Sequence, residues 1–318
     1  MRKAGDRRLL LNQRFDVEDA HALFADKIVE AGIRRIDATL ITGRCGSTYL
    51  SHLCRQLGFG WGEEPFNEDR AEWHADEYIA NDFGDYLRWA IGYSRLGDGF
   101  YFQITPLRFQ VFADMLGGLD RLRSEISHIS ILFRKDILAQ ALSFQAAVTS
   151  GLWHSTEPRR HEGEAVFDEK AVLEWIAWIV EMEEAALALR PDETEIFFYE
   201  DLLAHPADFV KRFLATHGID RSQEEIEAAL GMDQGPKKLA GRFTCDARGQ
   251  MLTAHPSLAD ILERRLAGDL AHALIHQRLD AIATDTDGDG DKGEQTGGED
   301  VPVQEADQPG DGDACPGQ

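Results

Sequence analysis

A short segment rich in small and polar residues has the composition of an anion-binding loop. Residues 42–50 read TGRCGSTYL and follow the β-rich run RIDATLI at 35–41. Apolar residues then recur at helical spacing, so the sequence predicts a strand, a small-residue turn and a helix. At such a turn the free backbone N–H groups and the positive end of the helix dipole converge, and Gly43 and Gly46 let an anion approach closely. We therefore expect a phosphate group to bind here.

The loop differs from the Walker A loop of ATP-binding proteins at two positions. A Walker A loop carries a glycine five residues before Gly46 and a lysine directly after it, where this chain has Ile41 and Ser47. The lysine matters because its ammonium, together with Mg²⁺, neutralises a transferring phosphoryl group of about two negative charges. A sulfuryl group carries one charge fewer. Backbone amides, the Ser47 and Thr48 hydroxyls and the Arg44 guanidinium would then suffice without a metal.

A second candidate segment begins with a predicted buried strand. Residues 126–133 alternate and branch like such a strand, and Asp136 then opens an apolar helix. Arg134 stands at the carboxyl end of the strand, where ligands bind in open parallel sheets. Ser143 lies about two turns along the helix and is placed to share an anion with Arg134. Singly, these would be an ordinary surface arginine and a solvated serine; beside the first loop they indicate a second phosphate site, to which Lys135 is adjacent.

Together the segments resemble a known family. TGRCGSTYL resembles the 5′-phosphosulfate loop of sulfotransferases that use 3′-phosphoadenosine 5′-phosphosulfate (PAPS), and SILFRKDILAQALSFQAAVTSGLWH resembles their 3′-phosphate motif. The RKD, AQA and GLWH elements are similar to bacterial sulfotransferases of the trehalose 2-sulfotransferase type, with nodulation-factor sulfotransferases as more distant relatives. GEEPFN at 62–67 and FYEDLL at 198–203 extend the resemblance to roughly residues 35–220.

The resemblance implies that the chain binds PAPS as sulfuryl donor, with no metal required. The expected donor-binding residues come from the first loop, from the second segment and from a late basic stretch: Arg44, Cys45, Gly46, Ser47, Thr48, Arg134, Ser143 and Arg242. Arg242 is the weakest of them, since Lys237 and Lys238 lie in the same stretch and a solvated basic patch is the ordinary interpretation. Cys45 is interpreted as a small packed side chain. The family often has a lysine at the position of Gln103, and that difference leaves donor affinity open.

The acceptor side offers fewer signals. A hydroxyl is a poor nucleophile at neutral pH, so a positioned base is useful. The resemblance places a catalytic glutamate after the first helix, where Glu64 fits best and Glu63 is the rival. His154 is a candidate for orienting the acceptor or for a second acid–base role, and Arg44 is expected to stabilise the transferring group. The acceptor is predicted to be a hydroxyl of a carbohydrate, a glycolipid or another small molecule.

Strand and helix patterns alternate along the chain, which predicts an α/β fold with a P-loop-like parallel β-sheet flanked by helices, the sulfotransferase fold. Further strands are expected at 100–104 and 195–199, with helices at 106–116, 206–216 and, capped by Asp168, to about residue 189. We expect an N-terminal helical extension at 1–34, a sulfotransferase domain at 35–283 and an acidic disordered tail at 284–318. That tail holds eleven acidic residues and one lysine.

Charge and hydropathy limit the function classes. The net charge of −24 argues against nucleic-acid binding, which needs a basic surface. The sequence has no run of eighteen apolar residues, so no transmembrane segment is predicted. The three-leucine stretch near the N-terminus is too short for a signal peptide. A cytoplasmic location is therefore expected. A homodimer is compatible with the sequence. The best interpretation is an enzyme, a PAPS-dependent sulfotransferase. Its alternatives are a divergent P-loop small-molecule kinase, which the missing lysine opposes, and a non-catalytic nucleotide-binding protein.

Overall fold

A five-stranded sheet occupies the centre of the first of two units. The structure is a computed structural model that describes residues 19–60, 62, 64–67, 82–153, 164–191, 194–232 and 241–287. Unit 1 is made of Met1–Lys135 and Ile179–Lys237, and unit 2 of Asp136–Trp178 and Lys238–Gln318. The strands, all in unit 1, are β1 (Arg35–Ile41), β2 (Arg95–Leu96), β3 (Gly99–Ile104), β4 (His128–Phe133) and β5 (Glu195–Phe198).

The strand order is β2-β3-β1-β4-β5. Strands β3, β1, β4 and β5 run parallel, and the two-residue β2 pairs antiparallel with β3 at one edge. The predicted α/β fold with a parallel sheet is therefore confirmed. All six residues of β3 are buried, as are six of the seven in β1, which is typical of parallel strands covered on both faces.

Helices connect the strands and cover the sheet. In chain order they are α1 (Ala20–Glu30), α2 (Ser47–Gln56), α3 (Phe83–Ser94), α4 (Pro106–Met115), α5 (Leu119–Glu125), α6 (Ile137–Ser150), α7 (Glu169–Leu189), α8 (Tyr199–Ala204), α9 (Pro206–Thr216), α10 (Gln223–Met232), α11 (Gly241–Ala254), α12 (Ser257–Leu266) and α13 (His272–Asp287). In the part of the chain that the structure describes, no helix is both long and apolar enough to span a membrane.

Local sequence explains where several helices begin and end. Proline occupies the first turn of α4 and α9, where its missing N–H costs nothing. Asp136 caps α6 by accepting from the Ala139 amide at 3.0 Å, and Asp168 accepts from the Ala171 amide at 3.1 Å at the start of α7. Gly151 ends α6 in the left-handed conformation.

The core of unit 1 contains a cluster of buried side chains from α2, α9 and the sheet. Leu50 and Leu53 of α2 and Phe213 of α9 belong to it, together with Leu132 of β4 and Phe197 of β5. Phe197 and Phe213 meet edge to face with ring centroids 5.3 Å apart. Helix α2 is thereby packed against β4, β5 and α9.

Unit 2 is helical in its described residues and contains α6, the first part of α7, and α11 to α13. Phe144 of α6 stacks on Trp175 of α7 with ring centroids 4.9 Å apart. Arg248 of α11 donates to both carboxylate oxygens of Asp136, at 2.9 and 2.8 Å, which joins α11 to the start of α6. The last described helix ends at Asp287, three residues beyond the predicted start of the acidic tail; the rest of that tail lies outside the described residues.

Candidate functional site

The turn between β1 and α2 has the backbone conformation of an anion-binding loop. Gly43 (φ 68°), Arg44 (φ 50°) and Gly46 (φ 86°) all adopt positive φ, and Gly46 occupies the N-cap of α2 with no side-chain cap. For Arg44, a residue with a side chain, this conformation is strained and must be held by its surroundings. Gly46 itself offers no side-chain oxygen to the N–H groups of the first turn of α2, which is typical of anion-binding turns.

Gly46 has a second reason to be glycine. A Cβ built at this position would overlap the ring of Tyr199, the first residue of α8. The ring of Tyr199 thus packs directly on the loop backbone. This requirement for glycine is separate from the predicted approach of an anion to Gly46, which stays a prediction.

Two guanidinium groups lie close enough to influence each other at this loop. The pKa of Arg44 is lowered to about 10, first because the side chain is desolvated and second because Arg134 carries a like charge nearby. Arg134 follows β4 directly, as predicted, and its side chain is half-buried. With this pKa, Arg44 stays charged at neutral pH. A bound polyanion would relieve their mutual repulsion, which makes the pair a credible anion site.

Tyr199 and Glu200 orient Arg134. The guanidinium lies 5.3 Å from the centroid of the Tyr199 ring, and its Nε lies 3.7 Å from Glu200 Oε1. Burial raises the pKa of Tyr199, so its hydroxyl stays protonated at neutral pH, while Arg134 acts in the opposite direction. Because the same ring packs on Gly46, Tyr199 links the loop to Arg134. The sequence analysis noted FYEDLL but assigned Tyr199 no role.

Cys45 is a packed side chain, as interpreted from the sequence. It is fully buried, and desolvation raises the pKa of its thiol to about 11. The neutral thiol is a poor nucleophile. Any contact of this residue with a donor would have to come from its backbone.

Glu64 lies near the loop. Its charge is among the influences that raise the pKa of the Cys45 thiol, which places the carboxylate in the neighbourhood of the β1–α2 turn. Asn67 Nδ2 donates to Glu64 Oε2 at 3.1 Å, and Arg108 Nη1 lies 3.8 Å from the same oxygen. The side chain is 19% exposed, so solvent still reaches it. The rival Glu63 falls outside the described residues.

Two site residues were missed by the sequence analysis or left without a role. Arg108, in the first turn of α4, is half-buried and approaches Glu64. Gln103, at the carboxyl end of β3, is buried and donates through Nε2 to the carbonyl of Ser47 at 3.2 Å. Their positions, one at the carboxyl end of β3 and one shortly after it, are the signal that could have identified them, because the carboxyl ends of parallel strands lie at one edge of the sheet.

Lys135 has a role in holding the site together. Its backbone N–H donates to Glu200 Oε2 at 2.8 Å, and its Nζ lies 2.6 Å from Asp201 Oδ1. These contacts fix the end of β4 to the start of α8. They also hold Arg134, at the end of β4, near Tyr199, at the start of α8.

The other predicted site residues are described separately. Ser143 lies in the middle of α6 in unit 2 and is half-buried. His154 falls outside the described residues, as do Lys237 and Lys238. Arg242 belongs to the first turn of α11, and its side chain is outside the described part of the structure. The roles of these residues stay predictions.

A group of one carboxylate and two imidazoles lies nearer the amino ends of the strands. Asp37, His128 and His217 place their ligand atoms within 4.8 Å of one another. Arg35 Nε donates to Asp37 Oδ2 at 2.7 Å, and His128 Nδ1 lies 2.8 Å from Oδ1. A guanidinium therefore already balances the carboxylate, and the arrangement is explained as a charge and hydrogen-bond network.

Comparison with known proteins gives one family match. The model of the Stf0 sulphotransferase family matches residues 111–244, a stretch that includes Arg134, Ser143 and Tyr199 but begins after the β1–α2 loop. No curated protein matches the chain.

Two solved structures are similar to this chain. One is described as retinol dehydratase in a complex with retinol and PAP; it is 17% identical, with 64% of this chain and 67% of that chain covered and a TM-score of 0.38. The other is described as retinol dehydratase in complex with androsterone and inactive cofactor PAP; it is 13% identical, with 86% and 88% covered and a TM-score of 0.39.

The family match agrees with the motifs from which the resemblance was inferred. The Arg134 segment, the AQA helix and FYEDLL all lie inside the matched residues. The predicted resemblance is therefore borne out over residues 111–244, which match the model of the Stf0 sulphotransferase family.

Proposed function

We propose that the chain transfers the sulfuryl group of PAPS to a hydroxyl of a carbohydrate, a glycolipid or another small acceptor. The observation that carries the proposal is the loop at residues 42–46, with its three positive-φ residues, joined through Tyr199 to the second arginine. One anion group at the first turn of α2 and a second at Arg134 match a nucleotide that carries a 5′-phosphosulfate and a 3′-phosphate.

The loop side of the proposal explains how the sulfuryl group is activated. Amides of the first turn of α2, the hydroxyls of Ser47 and Thr48 and the Arg44 guanidinium would hold the phosphosulfate. During transfer, negative charge accumulates on the oxygen that leaves sulfur and stays with the phosphate. Preorganised donors at that oxygen lower the barrier, because they need no reorganisation when the charge appears.

On the acceptor side of the site, Glu64 is proposed to accept the proton of the acceptor hydroxyl. The acceptor oxygen forms a bond to sulfur while the bond between sulfur and the bridging phosphate oxygen breaks, and the hydroxyl proton passes to the Glu64 carboxylate. The products are a sulfate ester and 3′-phosphoadenosine 5′-phosphate (PAP). Asn67 and Arg108 support this assignment, since both fix the carboxylate from one side. Arg108 also stabilises the ionised form that a general base requires.

Arg134 is proposed to bind the 3′-phosphate. Its guanidinium is held by Tyr199 and Glu200, so little side-chain entropy would be lost when the phosphate binds. Ser143, Arg242 and His154 keep the donor and acceptor roles that the sequence predicts for them. A cytoplasmic location, a homodimer and the lack of a metal requirement stay predictions as well.

The proposal is tested by two measurements on the purified full chain. Calorimetry should detect PAP binding without added metal, and a screen of hydroxylated sugars and glycolipids with radiolabelled PAPS should yield a labelled sulfate ester. Radiolabelled ATP with Mg²⁺ should yield no phosphorylated product from the same acceptors. Phosphoryl transfer from ATP, or the absence of any PAP binding, would overturn the proposal.

A further inference from the structure

Several polar side chains lie buried on one face of the sheet beneath the donor loop. Thr39 and Asp37 of β1 share this face with Tyr101 and Gln103 of β3 and with Ser130 of β4. The strand register shows why: Thr39 is level with Gln103 and Ser130, and Asp37 is level with Tyr101. Residues two apart on a strand point to the same face, so cross-strand neighbours form a ladder.

These side chains form a continuous hydrogen-bonded row, which we call the polar row. Beginning at the loop, it joins the Ser47 carbonyl to Gln103 Nε2 (3.2 Å), Gln103 Nε2 to Tyr101 Oη (3.3 Å), Tyr101 Oη to Thr39 Oγ1 (3.0 Å), Thr39 Oγ1 to Ser130 Oγ (2.8 Å) and Ser130 Oγ to His217 Nε2 (3.0 Å). His217 Nδ1 then lies 3.5 Å from Asp37 Oδ1.

The polar row stands where apolar side chains are expected. Thr39, Ser130, His217 and Asp37 are fully buried, and Gln103 is 2% exposed. Parallel strands covered on both faces usually carry Val, Ile and Leu at such positions. Burying polar groups costs free energy unless every one of them finds a partner, and even then apolar packing would serve stability at least as well. The composition of this face therefore points to a role beyond packing.

The hydrogens of the polar row follow one direction. The Gln103 amide nitrogen has two hydrogens, and its two contacts use both, one toward Ser47 and one toward Tyr101. The assignment that uses every hydroxyl hydrogen runs from Tyr101 to Thr39, from Thr39 to Ser130 and from Ser130 to His217 Nε2. His217 then carries its proton on Nδ1, facing the Asp37 carboxylate.

This direction fits the charges around His217. Burial lowers the pKa of His217, and His128 and Arg35 act in the same sense, although Asp37 opposes them. A neutral imidazole can accept at Nε2 and donate at Nδ1. His217 Nδ1 faces a carboxylate that is itself paired with Arg35, and the hydrogen bonds aligned in one direction from Tyr101 to His217 polarise and strengthen one another in a buried environment.

We propose that Gln103 and the polar row behind it are positioning residues for the donor-binding loop. They hold the carbonyl of Ser47, the first residue of α2, and thereby fix the first-turn amides against which the phosphosulfate binds. The inference rests on the function proposed above. It also explains why a glutamine can occupy the position at which related enzymes often have a lysine. The two N–H groups of its amide lie in one plane and donate to the Ser47 carbonyl and to the Tyr101 hydroxyl at the same time.

The test measures PAP affinity by calorimetry in folded variants of the full chain. Gln103→Leu removes both donors at similar volume, and Ser130→Ala breaks the row away from the loop. One lost hydrogen bond is worth a few-fold to about tenfold in an equilibrium constant, so we expect Gln103→Leu to weaken PAP binding by about 10-fold and Ser130→Ala by about 3-fold. Ser130→Thr, which keeps the hydroxyl, should restore affinity.

Ser94→Ala is the matched control. Ser94 of α3 is also buried in unit 1, and its hydroxyl makes no hydrogen bond within the described residues. Its removal should leave PAP affinity unchanged. Tyr101→Phe replaces Ser130→Ala if that variant does not fold, since it interrupts the same row by a single oxygen.

The double variant distinguishes a positioning role from a general loss of stability. If the row acts through Gln103, Ser130→Ala should have no further effect on PAP affinity once Gln103 is leucine. Melting temperatures that fall while PAP affinity stays at the wild-type value would overturn the inference, as would fully additive losses. If wild-type protein does not bind PAP at all, the proposed function fails and this inference fails with it; wild-type binding with unaffected variants refutes the positioning role alone.

Discussion

At the scale of single residues, the site is built from charges that are partly desolvated and held in place. Arg44 has a left-handed backbone conformation and a desolvated side chain, and Arg134 is held by an aromatic ring and a carboxylate. Glu64 is held by an amide and a guanidinium. Arg134 and Glu64 thus have separate supporting contacts, so the contribution of each can be measured by one substitution at a time.

Arg134→Ala should weaken PAP and PAPS binding far more than binding of adenosine 5′-phosphosulfate. The reason is that the side chain is proposed to contact only the 3′-phosphate, and a charge-assisted contact is worth about 1.5–3 kcal/mol. Calorimetry with the three nucleotides measures the difference. Arg121→Ala, which removes an exposed arginine of α5, is the control. Equal losses for all three nucleotides would contradict the assignment.

Glu64→Gln should lower turnover by roughly 10²–10⁴-fold while PAP affinity is kept, because the amide preserves shape but cannot accept the proton. The acidic limb of the pH–rate profile should flatten, since the group whose ionisation it reports is gone. Steady-state transfer from PAPS gives both readouts. The same change at Glu63 serves as control. If turnover is lost on substitution of Glu63 or His154 and is kept in Glu64→Gln, Glu64 is not the base.

At the scale of elements, the β1–α2 turn and α8 form one functional piece. Gly46→Ala should abolish or strongly weaken PAP binding, because a Cβ at this left-handed position would collide with Tyr199. Calorimetry measures the loss of PAP affinity, and thermal melting measures whether the collision also lowers the stability of the fold. Gly92→Ala on the exposed side of α3, where a Cβ meets nothing within 4 Å, should be neutral or slightly stabilising. Normal PAP affinity in the Gly46 variant would show that the loop tolerates rearrangement.

The same elements show how far the sequence predicts the structure. Strands β1, β3, β4 and β5 were predicted within two residues, since long apolar or branched runs leave few alternatives. The two-residue β2 was not, because pairing alone defines so short a strand. Asp37 and Thr39 are polar residues two apart in β1, but no role was predicted for them from the sequence. What they contact could not be predicted, because it depends on the register between strands distant in the chain.

At the scale of the whole molecule, His217 should make stability depend on pH. Its pKa is lowered in the folded protein, chiefly by burial, so the unfolded chain binds more protons once the pH falls below about 6.5. The free energy of unfolding should therefore decrease as pH falls through this value. It should recover at higher pH, where both states leave the imidazole neutral.

Denaturant unfolding between pH 5.5 and 7.5 measures this dependence. One proton corresponds to at most about 1.4 kcal/mol per pH unit, and His217→Asn should reduce the slope by up to that amount. Asp37, Arg35 and His128 surround the imidazole, so His128→Asn is the control for the second histidine of the group. An unchanged slope in the His217 variant would show that the folded and unfolded states protonate the imidazole equally, which would contradict a lowered pKa in the folded protein.

The buried thiol of Cys45 allows local opening of the β1–α2 turn to be measured by chemical labelling. With no exposure and a pKa of about 11, Cys45 cannot react with an alkylating reagent while the loop is closed. Because Cys245 is disulfide-bonded, the labelling rate of Cys45 in the wild-type chain reports how often the β1–α2 turn opens, provided that Cys54, also buried, is compared as an internal standard from α2. A nucleotide that binds the loop should slow labelling of Cys45 in proportion to its occupancy, which turns one unreactive side chain into a gauge of local opening.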